Sequence, residues 1–155
     1  MTTRCSECGA EYSADGDSCQ ARFDQLLALD HSRREPWGSR HGQAFAAFAL
    51  QHPQRYASSL DHAWAALHRI YVAGNRPSHV FEQLRSNGGS VPRDWRVPVR
   101  SERPVAAPSF TIADLGDFDA TTYAELLDDW CRAALVMWGG GASSAPRAPL
   151  RRSRV

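Results

Sequence analysis

Lysine is missing from the 155-residue chain: all 18 basic residues are arginine. With the alanine and proline content, this reads as the mark of a GC-rich genome more than of any activity. Long apolar runs are missing too. No stretch approaches the roughly 18–20 residues that a membrane span requires, so no membrane partner is expected. The opening "MTTRCSECGAEY" lacks the basic stretch followed by an apolar stretch of a secretory signal, which makes the cytoplasm the expected location. Strong net charge is also lacking. The total is +1, and four of the positive charges (Arg147, Arg151, Arg152 and Arg154) fall after Gly139, where there are no acids; without them the remainder carries −3. A nucleic-acid surface is not expected from such a body, which leaves a small molecule or a protein as the expected partner. No repeat of solenoid period is present.

Cysteine is scarce, with four residues in the chain, but three of them crowd the N-terminus. Cys5 and Cys8 lie in "CSECGA" and Cys19 follows in "DGDSCQ". In a reducing compartment such pairs serve as metal ligands or redox centres more often than as structural disulfides. A chain of this length builds an ordinary core without a cross-link, so any cross-link has a local task. The Cys-x-x-Cys-Gly turn suits a metal because it aims both thiolates to one side, while glycine behind the second cysteine permits the positive φ of the turn. Cys19 falls in the first turn of a predicted helix, where the helix dipole favours the thiolate. Three thiolates select zinc over hard cations, with iron as second choice. A thioredoxin-like redox pair would need a βαβ pattern, which is lacking here. The alternative is three unrelated buried thiols.

Periodicity predicts a mainly α fold: a small helical bundle with an N-terminal zinc-binding turn. A first helix spans about Asp17 to Arg34, with Asp17 and Gln20 as a capping box. A second runs from about Ser39 to Gln51, with Phe45, Phe48 and Ala49 as its apolar stripe, and Pro53 closes it. A third covers about Ser58 to Ala73, with Leu60, Trp64, Leu67 and Tyr71 on one face and Gly74 as its expected C-cap. A fourth starts at Pro77 and ends before "NGG". Residues 88–108 hold four prolines and follow neither period, so a long loop is expected. The last helix covers about Thr121 to Trp138. The expected layout is a single domain over residues 1–138 and a disordered Arg-rich tail over 139–155.

Zinc needs a fourth ligand, and helical rise ranks the choices. His31 lies twelve residues beyond Cys19 on the same helix, about 18 Å away, and cannot share the ion. In an antiparallel hairpin of the first two helices, His41 sits at the far end. His52, eleven residues on, returns to the level of Cys19, and His62 would be near that end as well. The order is His52, then His62, then His41 and Cys131.

His41, Phe45, Phe48 and His52 share one helical stripe, and His68 borders the face of Trp64 and Tyr71. His41, His62 and His68 are therefore the candidates for a catalytic role, as a second metal site or a general base. The plain alternative is a set of hydrogen-bonded core histidines. Asp128 and Asp129 could orient an imidazole, or could simply be solvated. Of the five tryptophans, Trp95 stands in the proline-rich loop and is expected as a mobile lid or partner contact.

"CSECGA", "SCQARFDQLLAL", His41 with "ALQHPQ" behind it, "TIADL" and "DDWCRAALVMW" together resemble an uncharacterised bacterial family, a domain of unknown function. The resemblance runs from Cys5 to Trp138, is weakest between Arg85 and Pro108, and places Cys5, Cys8, Cys19, His41 and His52 on the family's motifs. Leu135 stands where the family tends to carry a further tryptophan. The resemblance implies a shared cysteine/histidine site and a helical fold, and supplies no activity. Two roles are open. A zinc with four protein ligands would make a stabilised binding or accessory module. A zinc with three, or a separate histidine site, would make a metal-dependent enzyme acting on a small molecule.

Overall fold

A computed structural model describes residues 2–13 and 15–140. The chain opens with two short antiparallel strands, β1 (Thr3–Arg4) and β2 (Glu11–Tyr12), paired Thr3 to Tyr12 and Arg4 to Glu11. Five α-helices follow among the described residues: α1 (Cys19–His31), α2 (His41–Gln51), α3 (Leu60–Tyr71), α4 (Pro77–Ser86) and α5 (Tyr123–Met137). The fold is mainly helical, as the periodicity predicts. The expected tail lies outside the described residues from 141 on.

The predicted helix boundaries need correction at their N-termini. Ser18, not Asp17, caps α1, its hydroxyl accepting the Ala21 N–H at 3.0 Å. Asp17 instead accepts the Ser18 N–H and pairs with Arg22 at 3.9 Å, while the Gln20 amide donates to Asp24. The first turns predicted for α2 and α3 are short 3-10 turns, Gly38–Arg40 and Ala57–Ser59. A capping box does occur elsewhere: Thr111 and Asp114 reciprocate across the 3-10 turn Ile112–Leu115.

α2 is the central helix. Its sequence "HGQAFAAFALQ" is small or apolar nearly all round, and Ala44, Ala46, Ala47, Phe48, Ala49 and Leu50 are all buried, as befits a helix enclosed by neighbours. It packs on α3 and α5, with α1 and α4 also against it. Leu26, Phe48, Leu50, Leu67, Tyr123, Leu127 and Trp130 form the centre of the main core.

α5 is fastened to the end of α2 by two indoles. The Trp138 Nε1–H donates to the Leu50 carbonyl at 2.7 Å, and the Trp130 Nε1–H donates to Gln51 Oε1 at 2.9 Å. Gln51, fully buried, passes its own amide hydrogen to the Phe110 carbonyl at 2.8 Å. Every polar group of this buried set has a partner, the condition under which burial costs little.

Residues 88–108 contain no helix or strand, yet they are seated on the bundle. The Val105 N–H donates to the Met137 carbonyl at 2.7 Å and the Ser101 N–H to the Trp138 carbonyl at 3.2 Å, satisfying acceptors that the end of α5 leaves open. The Trp64 indole donates to the Pro98 carbonyl at 2.7 Å. Trp95, expected as a mobile lid or partner contact, is instead buried among Ala65, Ala66, Val80 and Leu84, with the Arg69 guanidinium 5.1 Å above its ring. It fills the space between α3 and α4 that small alanines leave open.

Candidate metal centre

The N-terminal strands frame a tight turn. The Cys5 N–H donates to the Ala10 carbonyl at 2.8 Å, and the Gly9 N–H donates to the Cys5 carbonyl at 3.0 Å. Gly9 adopts φ +79°, a conformation that a side chain would strain. The turn thereby aims the Cys5 and Cys8 thiols at the start of α1, where Cys19 is the first helical residue.

His52 arrives from the opposite side. It ends α2, and its ring lies on Phe48 with centroids 4.0 Å apart. Its Nδ1 is 2.8 Å from the Phe48 carbonyl. A carbonyl only accepts, so Nδ1 carries the hydrogen and Nε2 keeps its lone pair. That is the tautomer a ligating histidine needs, and the carbonyl fixes the ring's direction.

The four ligand atoms of Cys5, Cys8, Cys19 and His52 lie within 4.8 Å of one another. Cys8 Sγ is 3.5 Å from Cys19 Sγ, and Cys5 Sγ is 3.7 Å from His52 Nε2. Bond lengths of about 2.3 Å to sulfur and about 2.0 Å to nitrogen around a tetrahedral zinc put ligand atoms roughly 3.5–3.8 Å apart. The donor set and its spacing therefore fit a tetrahedral ion of that size. Cys8, Cys19 and His52 are buried, while Cys5 is part-exposed. Cys5 and Cys8 border an open cleft of about 670 Å³ that Glu7, Pro104, Val105 and Met137 also line.

Electrostatics favour a thiolate at one position above the others. Hydrogen bonding with Cys8, reinforced by His52 and by the Tyr12 hydroxyl at 3.0 Å, holds the Cys19 thiol well below its ordinary value against the opposing effect of burial. Cys8 moves the other way, raised by its bond to Cys19 and by burial. A bound metal would replace this sharing of protons with direct charge neutralisation.

The other candidates lie elsewhere. Cys131 is fully buried between α2 and α5, its thiol 3.6 Å from the Gln43 carbonyl. His62 Nδ1 is 3.0 Å from the Gly89 carbonyl. His41 Nδ1 is 2.9 Å from Asp30 Oδ2, and this hydrogen bond raises the imidazole's pKa against the opposing effect of burial. The His68 ring is 6.0 Å from that of Trp64; burial, then the charge of Arg69, lowers its pKa, and its Nδ1 finds no partner among the described residues. Asp128 orients no imidazole by the bond it makes to Tyr71, whose hydroxyl donates to it at 2.7 Å.

Two contributors escaped the sequence reading. No periodicity singles out Tyr12, although an aromatic residue just past a cysteine turn is well placed to cover it. Asp30 falls at helical spacing with Phe23 and Leu26 on the buried stripe of α1; an acid on an apolar stripe is the signal that a partner awaits it.

No curated protein and no solved structure matches the chain. A family model does match, over residues 3–139, a span that contains all four clustered residues and every helix described. The chain belongs to that family, the family of unknown function DUF5946.

Proposed function

We propose that Cys5, Cys8, Cys19 and His52 bind one zinc ion that pins the N-terminal turn to the ends of α1 and α2. In this reading the protein is a zinc-stabilised binding or accessory module of the cytoplasm. The observation that carries the proposal is the convergence of three thiols and a histidine Nε2 within 4.8 Å of one another, the Nε2 lone pair being left free by the bond of Nδ1 to the Phe48 carbonyl. Three thiolates and an imidazole suit zinc, with iron second, and disfavour hard cations. Four protein ligands fill a tetrahedral zinc and leave no position for water, which favours a structural role over a catalytic one. The reducing cytoplasm keeps such thiols available. The partner is a protein or a small molecule rather than nucleic acid, since the chain without its four C-terminal arginines carries −3.

Elemental analysis of the purified protein tests this directly, on the natural chain and on Cys8→Ser and His52→Ala. One zinc per chain, reduced or lost in both variants, is the expected result. Stoichiometric iron would replace the metal named here, and a folded protein without bound metal would overturn the reading.

A further inference from the structure

Away from the cysteine cluster, a cavity of about 740 Å³ runs between the start of α2 and the length of α4. Phe81 and Leu84 supply its apolar side, and His41, His62 and Arg85 its polar groups. No carboxylate is among the described residues that line it. Of the acids nearby in sequence, Glu82 lines a different cleft with His79 and Gln83, Glu35 meets Arg40 at 3.4 Å and the Ser39 hydroxyl at 2.6 Å, and Asp61 meets Arg100 at 3.0 Å. Phe81 can lie flat against α2 because Gly42 has no side chain; a Cβ there would come within 2.7 Å of the ring.

His41 is set for this cavity by a buried partner. The Asp30 side chain is 1% exposed against 44% for His41, so the carboxylate stands behind the imidazole and away from solvent. Oδ2 takes the Nδ1–H, and Oδ1 has no hydrogen-bond partner among the described residues. A buried carboxylate with one partner makes that partner's positive charge favourable. Nδ1 is thereby occupied, and Nε2–H remains as the donor. His62 is oriented in the same way by the Gly89 carbonyl, its Nε2 left over.

We infer that this cavity binds a small organic anion, its carboxylate or phosphate held by His41 and Arg85 and its apolar body lying on Phe81 and Leu84. Charge complementarity selects the anion, because the charged and titratable lining is basic throughout. The apolar side selects a body of ring size over a bare ion. The inference is independent of the zinc site.

The test is an NMR titration of the full chain with phenyl phosphate, and in parallel with benzyl alcohol and inorganic phosphate. Expected are saturable shifts at the amides of Gly42, His62, Ser78 and Phe81, with phenyl phosphate bound about tenfold more tightly than either control. His41→Gln and Arg85→Gln should each weaken binding about fivefold or more, and Arg55→Gln should leave it unchanged. Arg85 is exposed, so its substitution leaves the fold intact. Absence of saturable shifts at these residues overturns the proposal. So does benzyl alcohol or inorganic phosphate binding as well as phenyl phosphate, or undiminished binding by both variants.

Discussion

If the four clustered residues hold zinc as proposed, stripping it should release the N-terminal turn and leave the helices standing. Ordering backbone costs about 1–2 kcal/mol per residue, so roughly a dozen residues around β1 and β2 cost on the order of 12–24 kcal/mol. Burial of Tyr12, Cys8 and Ala10 returns roughly 4–5 kcal/mol. The turn and strand hydrogen bonds, including Cys5 to Ala10 and Gly9 to Cys5, add about 1 kcal/mol each. The shortfall is roughly 3–18 kcal/mol, a range that the roughly 10–16 kcal/mol contributed by a structural zinc at neutral pH would cover for most of its span. The helices have a core of their own, with Phe48, Leu50, Leu67, Leu127 and Trp130 fully buried. Hydrogen exchange read by mass spectrometry, with and without a strong zinc chelator, separates the two regions. Residues 3–17 should exchange at near-unprotected rates after chelation, while the amides of α2 and α5 stay protected. Cys8→Ser should give the same pattern without chelator. Unchanged protection over residues 3–17, or loss of protection everywhere at once, would refute the reasoning.

Three further outcomes follow from the same contacts. Tyr12→Phe removes the hydroxyl that donates to Cys19 at 3.0 Å and should weaken binding of the proposed zinc by about 10-fold or more in a chelator competition, with the fold retained. The bond to Asp30 raises the pKa of His41 above an unfolded value of about 6.5, so its contribution to stability is complete below that pH and is lost as pH rises through the folded value; urea midpoints measured from about pH 5.5 to 8.5 should show this component, and Asp30→Asn should remove it. Gly140→Ala would place a Cβ 2.6 Å from the Trp64 ring, which its bond to the Pro98 carbonyl holds in place, and should cost about 1–3 kcal/mol in urea denaturation.

The helices were legible because period and punctuation agreed: Pro77 opens α4, and Pro53 follows close on α2. The cap of α1 was misplaced by one residue because Asp17 and Ser18 are both capable caps, and only the backbone decides between them. His52 ranks first once helical rise is combined with an antiparallel hairpin of the first two helices, since its eleven-residue distance from His41 spans the length of α2. Trp95 could not be placed, because a loop without period gives no direction for its side chain; the alanines of α3 that receive it, Ala65 and Ala66, read simply as good helix formers. The partner of His41 was half visible in Asp30 on an apolar stripe. Asp128 drew attention as a possible imidazole partner, but α3 presents Tyr71 to it instead. Pairings between distant elements depend on how helices cross, which single-helix patterns do not encode.

The indoles of Trp130 and Trp138 grip Gln51 and Leu50, the two residues immediately before His52. Both tryptophans are shielded from solvent, at 0% and 2% exposure. A displacement of His52 should therefore disturb these two hydrogen bonds, one or two residues away. The chain should thus carry a built-in optical gauge: near-ultraviolet dichroism and emission from its own buried chromophores are expected to follow the state of the cysteine turn without an added dye.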